Sequence, residues 1–100
     1  MEREDLIWLS GLLEGEGCFG HDSHGRTSQF IRLRMTDGDV VARAAKLMGT
    51  TPRLEKWQRH PWHKRTWAAM VFGETARALM RELLPLMGER RSAKIIESLP

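Results

Sequence analysis

The stretch "LSGLLEGEGCF", residues 9–19, decides the fold, because it joins a helical apolar pattern to residues that helices rarely choose. Leu9, Leu12 and Leu13 follow helical spacing, yet Gly11 and Gly15 stand where alanine would cost less, and Glu14 and Glu16 lead into apolar Cys18 and Phe19. Extended backwards, Leu6, Leu9 and Leu13 make one apolar stripe, while Trp8, Gly11, Leu12 and Gly15 make a second on another side. A helix that is apolar on two sides is buried on two sides. The chain's own sheet can cover one. The second needs another backbone, and glycines four apart let one come close. The same helix from a second copy is the natural partner, since two-fold symmetry is the commonest way to close such a contact.

That pairing would set two helix ends, each carrying Glu14 and Glu16, side by side. Carboxylates so placed repel unless a cation lies between them, which suggests a divalent ion with oxygen ligands. Such an ion is what phosphodiester hydrolysis needs, because it activates water and stabilises the leaving oxygen. The competing reading is that both glutamates are solvated acids ahead of a turn.

Outward from this helix, "FIRLRMT" alternates: Ile31, Leu33 and Met35 on one side, Arg32, Arg34 and Thr36 on the other. Period-two alternation predicts a half-buried strand, so "CFGHDS" and "TSQFIRLRMT" read as a hairpin. Asp37 is placed to cap a helix over "GDVVARAAKLMG", with Val40, Val41, Ala44 and Met48 on its inner face and Gly49 as its stop. The pattern then recurs. "PRLEKWQRH" and "KRTWAAMVF" read as a second hairpin, followed by a helix in which Ala76, Leu79, Met80, Leu83 and Leu84 share a face. A short helix, "RRSAKIIESL", ends the order. The expected class is α+β: one domain over residues 1–100, a four-stranded antiparallel sheet with helices on one face. The other sheet face carries Arg32, Arg34 and Thr36, which suit water or a phosphate backbone better than a core.

Composition agrees with a folded chain, with 41% hydrophobic and 29% charged residues. The formal net charge of +3 hides an uneven distribution. Residues 1–16 hold five acids and one base, whereas residues 17–72 hold ten bases against four acids. A basic middle of this kind can collect a polyanion. No apolar run reaches bilayer length, and the acidic N-terminus is unlike a signal peptide, so a cytosolic protein with no membrane partner is expected. The lone Cys18 forms no internal disulfide, in keeping with a reducing compartment.

At this point "LSGLLEGEG" resembles the LAGLIDADG motif of homing endonucleases. Leu9, Gly11, Leu12, Leu13, Glu14, Glu16 and Gly17 match it or replace it conservatively, and Ser10 and Gly15 are small-for-small changes. The element order resembles the family's αββαββα unit, "RMTDGDVV" its strand-to-helix junction, and "LLPLMGERRSAKIIESLP" its C-terminal end, so the resemblance covers nearly the whole chain. It implies a homodimeric, site-specific double-stranded DNA endonuclease that cuts a roughly palindromic site with 3′ overhangs and takes no small-molecule substrate. The implied cofactor is Mg²⁺, held by Glu16 and the carbonyl of Gly15, with Glu14 a helix-end residue. The implied dimer interface is Trp8, Gly11, Leu12 and Gly15. DNA contacts are implied for Arg32, Arg34 and Thr36 on the sheet, for Arg53 and Arg59 (with Glu55 and Trp57) on the second hairpin, and for Arg26, Lys64 and Arg65 in loops. The sequence leaves open which parity of the second hairpin faces DNA.

Two positions depart from the pattern. Asp37 stands where some members have a water-positioning glutamine, and "LMGERR" lacks the lysine that in some members supports the transition state. Asp37 and Arg90 are the catalytic substitutes to which this points. A DNA- or RNA-binding scaffold with little or no cleavage, as in maturases or transcription regulators, is the alternative, although the intact Glu16 has no structural use there. Two further patterns compete. Cys18, His21 and His24, like His60 and His63, are three apart, a spacing that can hold zinc, but along a strand such neighbours point to opposite faces. Trp57, Trp62 and Trp67 recur every five residues among bases, as a stacking platform for single strands or as core. A protein-interaction module without nucleic acid would leave the arginine alternation unexplained.

Overall fold

The computed structural model of the chain describes residues 1–22, 28–56 and 60–100. Its centre is the alternating strand, β2 (Gln29–Met35), in which Gln29, Ile31 and Leu33 are buried while Phe30 and Arg32 are half-buried and Arg34 is exposed. β1 (Gly17–His21) pairs with it antiparallel from Gly17 opposite Leu33 to His21 opposite Gln29. On its other side β4 (Trp67–Phe72) pairs from Phe30 opposite Phe72 to Met35 opposite Trp67, and β3 (Arg53–Leu54) closes the order β1-β2-β4-β3.

The helices α1 (Arg3–Glu16), α2 (Gly38–Met48), α3 (Gly73–Leu83) and α4 (Glu89–Ser98) cover the odd-numbered face of β2. Leu9, Leu13, Phe19, Ile31, Leu33 and Met80 meet there in one core. The α+β class, the four antiparallel strands and the single covered face are therefore as the sequence predicts.

Local chemistry sets the joints. Gly49 ends α2 in the left-handed region, with φ 82°, and Thr50 N–H donates to the Ala45 carbonyl, the bond pattern of a glycine stop. Gly17 is needed for a different reason. Its φ of −81° suits any residue, but a Cβ there would lie 2.8 Å from the Leu13 carbonyl oxygen, so only glycine lets the chain turn from α1 straight into β1.

Four expectations need correction. Asp37 occupies the N-cap position of α2, but its side chain makes no capping bond; only its carbonyl serves the helix, accepting from Val40 and Val41. The inner face of α2 is Val41, Ala44, Ala45 and Met48, with Val40 only half-buried. The third helix is shorter than expected: Leu84 still donates its N–H to the Met80 carbonyl and packs against the core, but Pro85 cannot continue the helix, and Leu84–Leu86 tighten into a 3₁₀ turn. Of the strand expected over 52–60, the described residues form β3 at Arg53–Leu54, with one further ladder bond from Glu55 N–H to the Thr66 carbonyl, and residues 57–59 lie outside the described residues. Pro52 has no N–H to offer an edge ladder, and Lys56 already lies in a bend.

Candidate nucleic-acid interface and metal centre

The end of α1 separates the two glutamates. Glu14 turns inward: its carboxylate accepts the N–H of Gly88, the residue that caps α4, and its carbonyl accepts from Arg91 Nε at 2.9 Å. Glu16, the last residue of the helix, is exposed and has no ion pair or side-chain hydrogen bond with any described residue. One acid is a strut between two helices and the other faces solvent.

Along the same helix, Gly11 and Gly15 are exposed, and a Cβ added to either would meet nothing within 4 Å. Ile7, one turn earlier, is 50% exposed and extends this open strip; the sequence reading did not single it out, although its spacing of four from Gly11 was visible. Leu12 packs against the core. Trp8, expected at the interface, is half-buried and carries the Arg43 guanidinium 3.9 Å from its ring centroid, while Arg43 also reaches Asp5 at 3.7 Å. That contact locks α1 to α2 and occupies one face of the indole.

A hard cation needs oxygen donors, and Glu16 with the Gly15 carbonyl supplies that type. Among the described residues no three His, Cys, Asp or Glu side chains gather to hold a metal, so one chain offers part of a donor set. Cys18 and His21 lie on opposite faces of β1, His24 is outside the described residues, and His60 is stacked on Trp62 at 4.4 Å with His63 edge-on to it. Trp62 is 75% exposed, Trp67 packs under α2 against Gly38, and Trp57 is outside the described residues.

The uncovered sheet face gathers the predicted bases. Arg32 and Arg34 lie on it, as the alternation required, and the register places Arg53 opposite Ala68, itself opposite Arg34, which fixes the parity of the second hairpin. Glu55 shares this face and binds Arg34 at 2.8 Å. Thr36 and Asp37 follow at the exposed end of β2. Arg65 donates from Nε and Nη2 to the Glu55 carbonyl, at 3.1 and 2.6 Å, bracing the hairpin, whereas Lys64 is exposed with no partner among the described residues. Arg26 and Arg59 lie outside the described residues. Arg90 lines a groove of about 320 Å³ with Cys18, Arg91 and Lys94, across from the strand that follows Glu16.

The α+β architecture, a four-stranded antiparallel sheet with four helices, matches the LAGLIDADG homing endonuclease fold. No family model matches the sequence, and no curated protein matches it. Among solved structures, the homing endonuclease I-CvuI in complex with its target and calcium superposes with a TM-score of 0.70 at 15% identity, over 95% of this chain and 65% of that one. I-CvuI bound to the I-CreI target with magnesium, its DNA uncleaved, gives 0.66 at 16% identity over the same shares. The group I intron-encoded I-CeuI complexed with DNA gives 0.61 at 13% identity, over 97% of this chain and 53% of that one. This chain thus spans about two thirds or less of the length of those neighbours.

Proposed function

We propose that the chain is a single-motif DNA endonuclease of the LAGLIDADG homing type, acting as a homodimer on a roughly palindromic duplex. The observation that carries this reading is the exposed Glu16, unpaired among the described residues, at the end of a helix whose Gly11–Gly15 strip is open. An exposed acid with no ion pair to any described cation, beside a surface suited to a second backbone, is explained by a site that two copies complete. Support comes from the neighbours, which are DNA complexes of homing endonucleases, and from the basic sheet face.

Glu16 and the Gly15 carbonyl of each copy would hold Mg²⁺, which when bound supplies an activated water and charge for the leaving oxygen. The rest is done by side chains. Arg32 and Arg53 attract the duplex and orient it on the sheet, and Lys64 holds a phosphate. Asp37, free of capping duty, accepts a hydrogen bond from the water that attacks. Arg90, across the groove from Cys18, offsets charge that develops on the phosphate. Glu14 has no part in the chemistry, since its carboxylate is spent on Gly88.

Incubating the protein and Glu16→Gln with a randomised palindromic duplex library in Mg²⁺, then sequencing the broken ends, tests this. Breaks with 3′ overhangs on one palindrome, made by the wild type alone while both proteins retain that palindrome, are expected. Retention without breaks would reduce the protein to a binding scaffold, and loss of binding by Glu16→Gln would make that acid structural.

A further inference from the structure

The uncovered face of the sheet is divided into rows of unlike chemistry. Across the strands, Arg34, Ala68 and Arg53 form one row, Cys18, Arg32 and Met70 the next, and Gly20, Phe30 and Phe72 the third. The first row lies at the end of β2 nearest Glu16, because Gly17, which follows Glu16, pairs with Leu33. The third row is apolar and open. Phe72 is 54% exposed, and the Phe30 ring lies across Gly20 so closely that a Cβ there would sit 2.5 Å from its Cζ atom. None of the described helices covers these rings, and the Arg32 guanidinium stands 5.8 Å from the Phe30 centroid. An aromatic row beside cations fits a polyanion that itself presents apolar groups.

Resting on the function proposed above, we infer that the Phe30–Phe72 row reads the 5-methyl groups of thymines in the major groove. A phenyl ring offers no hydrogen bond, and the thymine methyl is the apolar group on the major-groove edges. The spacing also assigns a position. Rows two residues apart are separated by ~6.8 Å along a strand, and base pairs rise by ~3.4 Å. The Phe row therefore meets bases about four pairs farther from the cut than those facing Arg34 and Arg53. The half-site should read, outward from the centre, guanine contacts first and thymines last.

The test begins with duplexes recovered from a randomised pool by the wild type, Phe72→Ala and Arg53→Ala. Thymine should be enriched at the outer positions by the wild type and by Arg53→Ala, and not by Phe72→Ala. Replacing those thymines with deoxyuridine in the recovered duplex should weaken wild-type binding about fourfold for each buried methyl and leave Phe72→Ala unaffected. The deoxyuridine comparison needs no variant, so it stands even if Phe72→Ala folds poorly. Selective binding that treats thymine and uracil alike would overturn the inference and leave the DNA reading intact. Absence of any selective binding by the wild type would remove both.

Discussion

Gly17 and Gly11 are constrained by opposite circumstances. A methyl group at Gly17 would press on the carbonyl oxygen and Cδ2 of Leu13, at 2.8 and 2.9 Å, inside a buried joint. Gly17→Ala should therefore destabilise the chain by about 1–3 kcal/mol in chemical denaturation, as overpacking does. Gly11 has open space, so Gly11→Ala should stabilise the isolated chain by up to about 1 kcal/mol through helix propensity, while weakening the proposed helix pairing. A dilution series followed by circular dichroism and by sedimentation separates the two effects. Equal destabilisation by both changes would contradict this account. The two glutamates split likewise. Glu14→Ala should cost about 0.5–2 kcal/mol, the range for a lost helix-start bond, with Glu16→Ala near neutral in the same melt.

Among the elements, the least obvious anchor is Gln29, wholly buried in β2. Its Nε2 donates to the Ser98 carbonyl at 3.0 Å, and its Oε1 accepts from Arg77 at 2.7 Å, so one amide ties β2 to the middle of α3 and the end of α4. Gln29→Leu leaves a carbonyl and part of a guanidinium unpaired. It should lower stability by about 1–3 kcal/mol, measured by urea titration. The sequence showed much of what surrounds this anchor, because local pattern carries it: alternation from Phe30 to Met35 fixed which arginines face outward, and Gly49 marked the end of α2. Long-range contacts were not legible. Nothing near Glu14 announces Gly88, nothing near Trp8 announces Arg43, and the parity of Arg53 follows from its pairing with Ala68 across a loop. The Asp37 cap failed because position alone does not aim a side chain.

For the molecule as a whole, basic residues on one sheet face and in the loops make salt the natural probe of the proposed DNA complex. Affinity should fall with a log–log slope of about −0.9 for every phosphate neutralised, and Lys64→Ala should flatten the slope by about one per copy. An unchanged slope would take Lys64 away from the backbone. Self-association should depend on the open helix strip. Gly11→Leu is expected to convert a dimer to a monomer in sedimentation equilibrium, and an unaltered dimer would move the contact elsewhere.

The order β1-β2-β4-β3 also decides how the protein resists the wrong kind of self-association. A sheet edge with free N–H and C=O groups invites another strand. Here α4 packs along β1, and the assigned part of β3 is two residues, preceded by Pro52 and followed soon by the bend at Lys56. Both margins are thus poor templates for a foreign strand. Copies that met through the proposed helix contact would therefore not be drawn into a growing β-ribbon, and replacing Pro52 is the change expected to make the β3 edge a better template.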